Sequence, residues 1–167
     1  DVRIAALAES ADGILWVGTD TGLFAFADGE STHIGSIEHV NDLFVDHEQN
    51  VWIAGQGLFR YDRQPPATRD PSGSNVRNAR KLLQTRDGTL WVGTSQGVLS
   101  VENDVAKHYS TDDGFIGGTV SSLFEDSRGG IWIGTYRGVS RFYEKRFASL
   151  TSRNRAVASR VNAIAED

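Results

Sequence analysis

Few side chains in this chain are placed to do chemistry. The four histidines, His33, His39, His47 and His108, are scattered, and none stands at a spacing expected of a zinc site. Carboxylates pair at Glu125-Asp126 and again at Glu166-Asp167. Such a pair could share acid and base roles, but these two recur at one repeat position, and residues in phase with a repeat serve it, here as turn caps and edge protection. Asp112-Asp113-Gly114 suggests calcium yet lacks the further alternating oxygen ligands of a calcium loop, so a tight turn is expected. No Gly-x-Ser-x-Gly elbow and no Walker-type phosphate loop occurs, although glycine is abundant. Tyr136-Arg137 suits binding instead, because an aromatic ring beside a guanidinium can stack on a sugar face and grip an acidic group or hydroxyls. No metal and no cofactor is implied.

The elements that must carry these residues repeat. Ile14-Leu-Trp-Val-Gly-Thr, Val51-Trp-Ile-Ala-Gly, Thr89-Leu-Trp-Val-Gly-Thr and Gly130-Ile-Trp-Ile-Gly-Thr contain all four tryptophans, at 16, 52, 91 and 132, spaced by 36, 39 and 41 residues. A period of that size marks a repeat architecture. Nine residues before each Trp stands Leu7, Leu43, Leu82 or Leu123 in a short apolar run, followed by a polar turn such as Ser10-Ala-Asp-Gly or Thr85-Arg-Asp-Gly, a hairpin signal. After the Trp strand come a second turn, at Gly22, Gly57, Gly97 or Gly138, and a third strand, with room for a weaker fourth.

Alternate residues of a strand face opposite sides, so Leu15 and Val17 share one face and Trp16 and Gly18 the other. Both faces are apolar, and such a sheet must be sandwiched between neighbours. The small residue two after each Trp (Gly18, Ala54, Gly93 and Gly134) is read as leaving space for the indole to lie along its own strand. Small four-stranded sheets stacked face to face around an axis form a β-propeller. The expected class is all-β, with blades of four antiparallel strands. Short glycine-punctuated strands exclude a helical solenoid, and a parallel β-helix would have shorter repeats.

Composition agrees. The chain has 167 residues, 39% of them apolar and 23% charged, as expected of a globular domain. A net charge of −5 argues against nucleic acid, whose phosphates call for a basic face. There is no apolar run long enough to cross a membrane and no signal peptide, and the absence of cysteine leaves the redox compartment unread. The chain begins with Asp1 and lacks methionine, which suggests a mature product or an excised piece. Repeats are expected at about 2–37, 38–76, 77–117 and 118–158, with Val161-Asn-Ala-Ile-Ala-Glu-Asp matching the inner strand of a fifth that starts at 159. Four blades plus one inner strand read as an arc of a larger propeller. Its bare end faces call for further repeats of the parent chain or for another copy of this one.

The stretch from His108 to Phe142, with Asp113-Gly-Phe-Ile-Gly-Gly-Thr-Val and Gly130-Ile-Trp-Ile-Gly-Thr, resembles the two-component regulator propeller repeat, and the resemblance extends over the whole chain. Departures are Phe115 for a loop leucine, Ala54-Gly in place of Gly-Thr, and the segment Gln64 to Gly73, which holds all three prolines and is expected to leave the second blade ragged. The resemblance implies a ligand-sensing segment in the periplasmic or extracellular part of an inner-membrane bacterial receptor. The output would be a histidine kinase or diguanylate cyclase in the parent, the ligands would include oligosaccharides, and no enzyme activity would lie in the segment itself.

In a propeller the loops leading into inner strands and the turns between second and third strands share one face. Here those are His39 to Asn41, Asn75 to Arg80, Asp113 to Thr119 and Arg153 to Asn162, with turns at Asp20, Gln56, Gln96 and Tyr136-Arg137. The candidate ligand-binding residues are Tyr136, Arg137, His39, Asn41, Arg80 and Phe115. Two other functions fit such a fold: a protein-interaction scaffold, though the dipeptides of WD repeats are missing, and a propeller lyase or hydrolase.

Overall fold

A computed structural model describes residues 2–34, 37–62, 68–69, 73, 75–151 and 164–165. They form four sheets, each a four-stranded meander in chain order. The first holds β1 (Ile4–Glu9), β2 (Leu15–Thr19), β3 (Leu23–Ala27) and β4 (Glu30–His33), and the second holds β5 (Asp42–Val45), β6 (Val51–Ala54), β7 (Leu58–Tyr61) and β8 (Thr68–Arg69). The third comprises β9 (Ala79–Gln84), β10 (Leu90–Thr94), β11 (Val98–Glu102) and β12 (Val105–Tyr109), and the fourth β13 (Val120–Glu125), β14 (Ile131–Thr135), β15 (Gly138–Tyr143) and β16 (Arg146–Thr151). These are β-propeller blades, as the Trp period predicts. The weak fourth strand exists in each, and in the second it is only two residues long. The rest of the proline segment lies outside the described residues, as does the fifth inner strand except for Ile164 and Ala165. The chain divides into two compact units, Asp1–Leu82 and Leu83–Asp167.

The inner hairpins share one construction. Ser10, Asp46, Thr85 and Asp126 each stand six residues before a Trp, and each turn places a left-handed residue three further on, Gly13, Gln49, Gly88 or Gly129, at φ from 67° to 90°. Backbone bonds such as Gly129 N to Asp126 O at 3.0 Å and Asp126 N to Gly130 O at 2.8 Å close the loop as a type I turn with a bulge. In the first, second and fourth repeats the residue six before the Trp also holds the indole, whereas Thr85 donates to Asp87 Oδ1 at 2.6 Å and is also 3.0 Å from Thr89 O. Trp16 Nε1 donates to Ser10 Oγ at 3.0 Å, Trp52 Nε1 to Asp46 Oδ2 at 2.8 Å and Trp132 Nε1 to Asp126 Oδ2 at 2.8 Å. So Asp126 is a turn cap, and it is also the acceptor that lets a polar indole edge be buried.

Each Trp has a different partner across the second and third strands: Ala25, Arg60, Ser100 and Arg141. Where the partner is arginine, its guanidinium covers the indole, with Arg60 5.6 Å from the Trp52 ring and Arg141 5.5 Å from that of Trp132. Where it is small, other side chains fill in, and Tyr109 stacks on Trp91 at 5.5 Å and 12°.

Within each unit one sheet packs on the next through the same positions. Tyr61 meets Trp16 at 5.6 Å and Phe142 meets Trp91 at 5.0 Å. The glycine two after the Trp makes room for the neighbouring sheet rather than for its own indole, a correction to the sequence reading. A Cβ at Gly93 would lie 2.7 Å from Val120 Cβ, and one at Gly18 would strike Val40 and lie 3.3 Å from Leu43 Cδ1. Val40, Ala79 and Val120 all stand twelve residues before a Trp, so the pairing has its own column in the sequence. In the second unit an aromatic cluster of Trp91, Tyr109, Phe142 and Phe147 completes the core, with successive rings 4.8 to 5.5 Å apart.

Candidate functional site

In the first, third and fourth sheets the turn between second and third strands is fixed by the threonine that ends the Trp motif. Thr19 Oγ1 donates to Gly22 O at 2.9 Å, Thr94 Oγ1 to Gly97 O at 3.0 Å and Thr135 Oγ1 to Gly138 O at 3.2 Å. The same hydroxyl accepts a backbone N–H inside the turn, from Thr21, Gln96 and Arg137 respectively, at 3.0 to 3.1 Å. Thr135 is fully buried. A two-residue turn closed from beneath presents its own side chains outward on a rigid base.

Tyr136 and Arg137 form such a turn, joining β14 to β15, and both are exposed, Tyr136 to 48%. Beside them runs the loop before β13. Its Gly117 and Gly118 take φ of 78° and 93°, conformations open to glycine at little cost. The Arg137 stem lies along Gly118, where a Cβ would come within 3.3 Å of Arg137 Cγ. A larger residue at 118 would push the guanidinium away, so the glycine positions the arginine.

Phe115 does not join them. Gly114, at φ 89°, caps the short 3-10 turn Thr111–Asp113 and sends the chain inward, so the Phe115 ring is 2% exposed and meets Phe147 at 5.7 Å. It is a core side chain, not a surface ligand group. The same turn uses up Asp113, whose Oδ2 accepts Ser110 N at 2.8 Å, while Ser110 Oγ accepts Asp112 N at 3.2 Å. The Asp-Asp-Gly run is therefore a tight turn with a capping box.

In the first unit the loop before β5 holds His39 and Asn41. His39 is exposed, with φ of 56°, and its N–H donates to Asp20 O at 3.2 Å; Val40 N donates to Thr19 O at 3.0 Å. Asn41 is engaged structurally, its Nδ2 donating to Ala79 O at 2.8 Å. Arg80 is exposed on β9, next to that carbonyl. Asn41 and Arg80 thus share one end of β5 and β9, with His39 on the adjoining loop.

The sequence reading missed a charge pair there. Asp42 Oδ2 lies 3.5 Å from Lys81 Nζ and accepts Leu82 N at 3.1 Å. Burial raises the Asp42 carboxyl above its ordinary value of 3.8, outweighing the opposing pull of Lys81 and of the N–H donors. Asp42 and Lys81 both stand ten residues before a Trp, where the other repeats carry Ala6 and Ser122. The signal was present as a break in the inner apolar run. Ser122 Oγ, in the second unit, is buried without a hydrogen-bond partner among the described residues.

Comparisons with known proteins bear on the fold. Residues 72–96 and 114–137 match the family model of the two component regulator propeller. Among solved structures, the chain is similar to the extracellular domain of a protein named as the hybrid two component system BT3049 from B. thetaiotaomicron, at 20% identity and a TM-score of 0.80, over 95% of this chain and 24% of that one. The extracellular domain named as that of the one component system BT4673 from the same organism matches at 18% identity and a TM-score of 0.81, over 100% of this chain and 24% of that one. Virginiamycin B lyase from Staphylococcus aureus matches at 13% and 0.71, over 90% and 56% of the two chains. No curated protein matches the chain. These likenesses are of fold, and the chain spans about a quarter of the length of the first two domains.

Proposed function

From a chain that carries two component regulator propeller repeats, we propose a segment of the ligand-sensing propeller of a bacterial two-component-type receptor, lying in its periplasmic or extracellular part and responsive to oligosaccharides. The observation that carries the reading is the Tyr136-Arg137 turn. An exposed aromatic and a guanidinium stand on a turn closed from within by Thr135, while the equivalent turns hold Asp20, Gln56 and Gln96. The similarity to extracellular receptor domains supports the location. No helix among the described residues is long and apolar enough to cross a membrane, so an anchor would come from elsewhere in the receptor. The segment binds and performs no chemistry.

Isothermal titration with a panel of acidic and neutral oligosaccharides tests this. Arg137→Ala is expected to weaken the bound member by about tenfold or more, the loss of a charge-assisted contact, and Tyr136→Ala by a smaller factor. An affinity unchanged in both variants would remove the turn from the site.

A protein-interaction scaffold is the second reading, and one surface favours it. On the first sheet Leu7, Leu15 and Phe26 are 58%, 39% and 41% exposed, whereas the equivalent Leu43, Val51 and Tyr61 of the second are buried to 7%, 0% and 8%. In the second sheet those positions receive the Trp-bearing face of the first. The partner proposed for the bare face is accordingly another blade of the same kind, from further repeats of the receptor or from a second copy of this chain. Sedimentation of the chain should show self-association that Phe26→Asp abolishes, and a chain that stays monomeric at high concentration would count against it.

A further inference from the structure

We infer that the groove beside β3 and β4, wholly within the first unit, binds a small alkylammonium ligand. It encloses about 380 Å³, inside the roughly 300–1,000 Å³ of small-ligand sites. Strand pairing puts Trp16, Ala25 and Thr32 in one row across the sheet, with Ala27 and Glu30 on the same face in the row beyond. The two alanines leave a hollow, and Tyr61 of the second sheet lines it as well. Asp28 and Gly29, at φ of 52° and 81°, form the two-residue turn between the strands, so Asp28 and Glu30 stand at one end of the groove and both line it. Neither carboxylate makes an ion pair or side-chain hydrogen bond among the described residues, and no lysine, arginine or histidine among them lines the groove.

Two exposed carboxylates select no guest by themselves. The Tyr61 hydroxyl narrows the choice. Tyr61 is only 8% exposed, and its oxygen makes no hydrogen bond among the described residues. That oxygen is not sealed in either, because the enclosed and unpartnered side-chain atom among those residues is Ser122 Oγ, so it opens on the groove that Tyr61 lines. Packing does not call for it. Phe142 holds the same column in the second unit and meets Trp91 at 5.0 Å without a hydroxyl. A phenolic oxygen free to accept, close to two carboxylates, suits a guest rich in N–H donors and positively charged.

The second unit supplies such a group from its own chain. Lys107 pairs with Ser100 as Thr32 pairs with Ala25, and its Nζ rests 5.0 Å from the Tyr109 ring centre. In the first unit threonine takes the lysine column, while Asp28 and Glu30 stand where the second unit has Asn103 and Val105. Carboxylates are added where the ammonium is missing. The matching guest places its ammonium at Asp28, Glu30 and the Tyr61 hydroxyl, and its alkyl stem on Ala25, Ala27 and Ile34.

The test is an NMR titration of the chain with n-pentylammonium chloride at low ionic strength, where exposed charges are least screened. Amide shifts are expected at Ala27, Glu30 and Thr32, and the neutral isostere 1-pentanol should bind about tenfold more weakly, having lost the charge-assisted contacts. Glu30→Gln should weaken the amine severalfold, and so should Asp28→Asn, a residue that tolerates the φ of 52°. Tyr61→Phe should weaken it too and leave the melting temperature unchanged, since phenylalanine already serves in that column. Thr32→Lys should abolish binding by supplying the ammonium from within. No binding of the amine, equal binding of pentanol, or an affinity that Glu30→Gln, Tyr61→Phe and Thr32→Lys leave unchanged would each overturn the assignment. The turn at Tyr136-Arg137 lies in the other unit and plays no part in this test, so either proposal can fail alone.

Discussion

Asp126→Ala is expected to destabilise the second unit by about 3 kcal/mol, the cost of leaving a half-buried guanidinium and three further N–H donors without their acceptor. One carboxylate serves five donors. Oδ1 accepts Arg128 N at 3.0 Å and Gly130 N at 2.7 Å, and Oδ2 accepts Trp132 Nε1 at 2.8 Å, Arg141 Nε at 2.9 Å and Arg141 Nη2 at 2.6 Å. Removing it opens the inner hairpin, frees the indole and releases the arginine that lies between Trp132 and Tyr143. Arg141 is 26% exposed and can recover some hydration, which sets the estimate toward the lower end. Burial alone would raise the Asp126 carboxyl, but the bonds from Gly130, Trp132, Arg141 and Arg128 outweigh it and hold the group at about 2 against an ordinary 3.8. A carboxyl that ionises more readily folded than unfolded stabilises fully above 3.8, and that contribution fades as pH falls toward 2. Urea titrations of the wild type and of Asp126→Asn across that window check both points. Both chains should lose stability on acidification, since Asp87 is held below its ordinary value as well by the Thr85 hydroxyl. The wild type should lose more than the variant; parallel curves would show that the Asp126 carboxylate contributes no linked stability.

The second large effect concerns how the sheets meet. Gly93→Ala should cost about 1–3 kcal/mol, because the new methyl overlaps Val120 in a filled interface. Val120→Ala should cost about 2 kcal/mol by cavity formation. The double variant should cost less than the sum, by about 1 kcal/mol of coupling. The first unit already contains the compensated pair. Ala54 and Ala79 occupy the equivalent columns, both fully buried, and Asn41 bonds the carbonyls of both, through N to Ala54 and through Nδ2 to Ala79. Denaturant melts of the four chains give the coupling directly. Strict additivity would mean that the two columns do not face each other.

That pairing also shows what a single sequence gives away. The Trp period, the Asp-Gly turns and the alternation around each Trp are local patterns, and they were enough to predict blades of four strands. Which surface fills the space over Gly18 or Gly93 is a question about two sheets, and the pattern within one strand assigned that space to the wrong side chain. The answer stood in the column Val40, Ala79, Val120, legible only when read against the glycine column. Phe115 was misplaced for a related reason. A loop position suggests exposure, but the φ of 89° at Gly114 turns the chain inward, and no composition rule reports that direction. Of the candidate site, the Tyr136-Arg137 turn, His39 and Arg80 stand exposed, while Asn41 is tied into the backbone. Asp42 and Lys81 escaped notice because each looks like an ordinary polar residue in its own strand. Only the contact between β5 and β9 makes them a pair.

The ligand face proposed for this propeller segment is the closed turn at Tyr136-Arg137 with the loop beside it. Hydrogen exchange of the chain with and without the tightest oligosaccharide from the titration panel tests it most directly. Added protection at the Tyr136 and Arg137 amides and through Gly117 and Gly118 is the predicted result. A bound oligosaccharide that leaves those amides unchanged and protects other segments would contradict it.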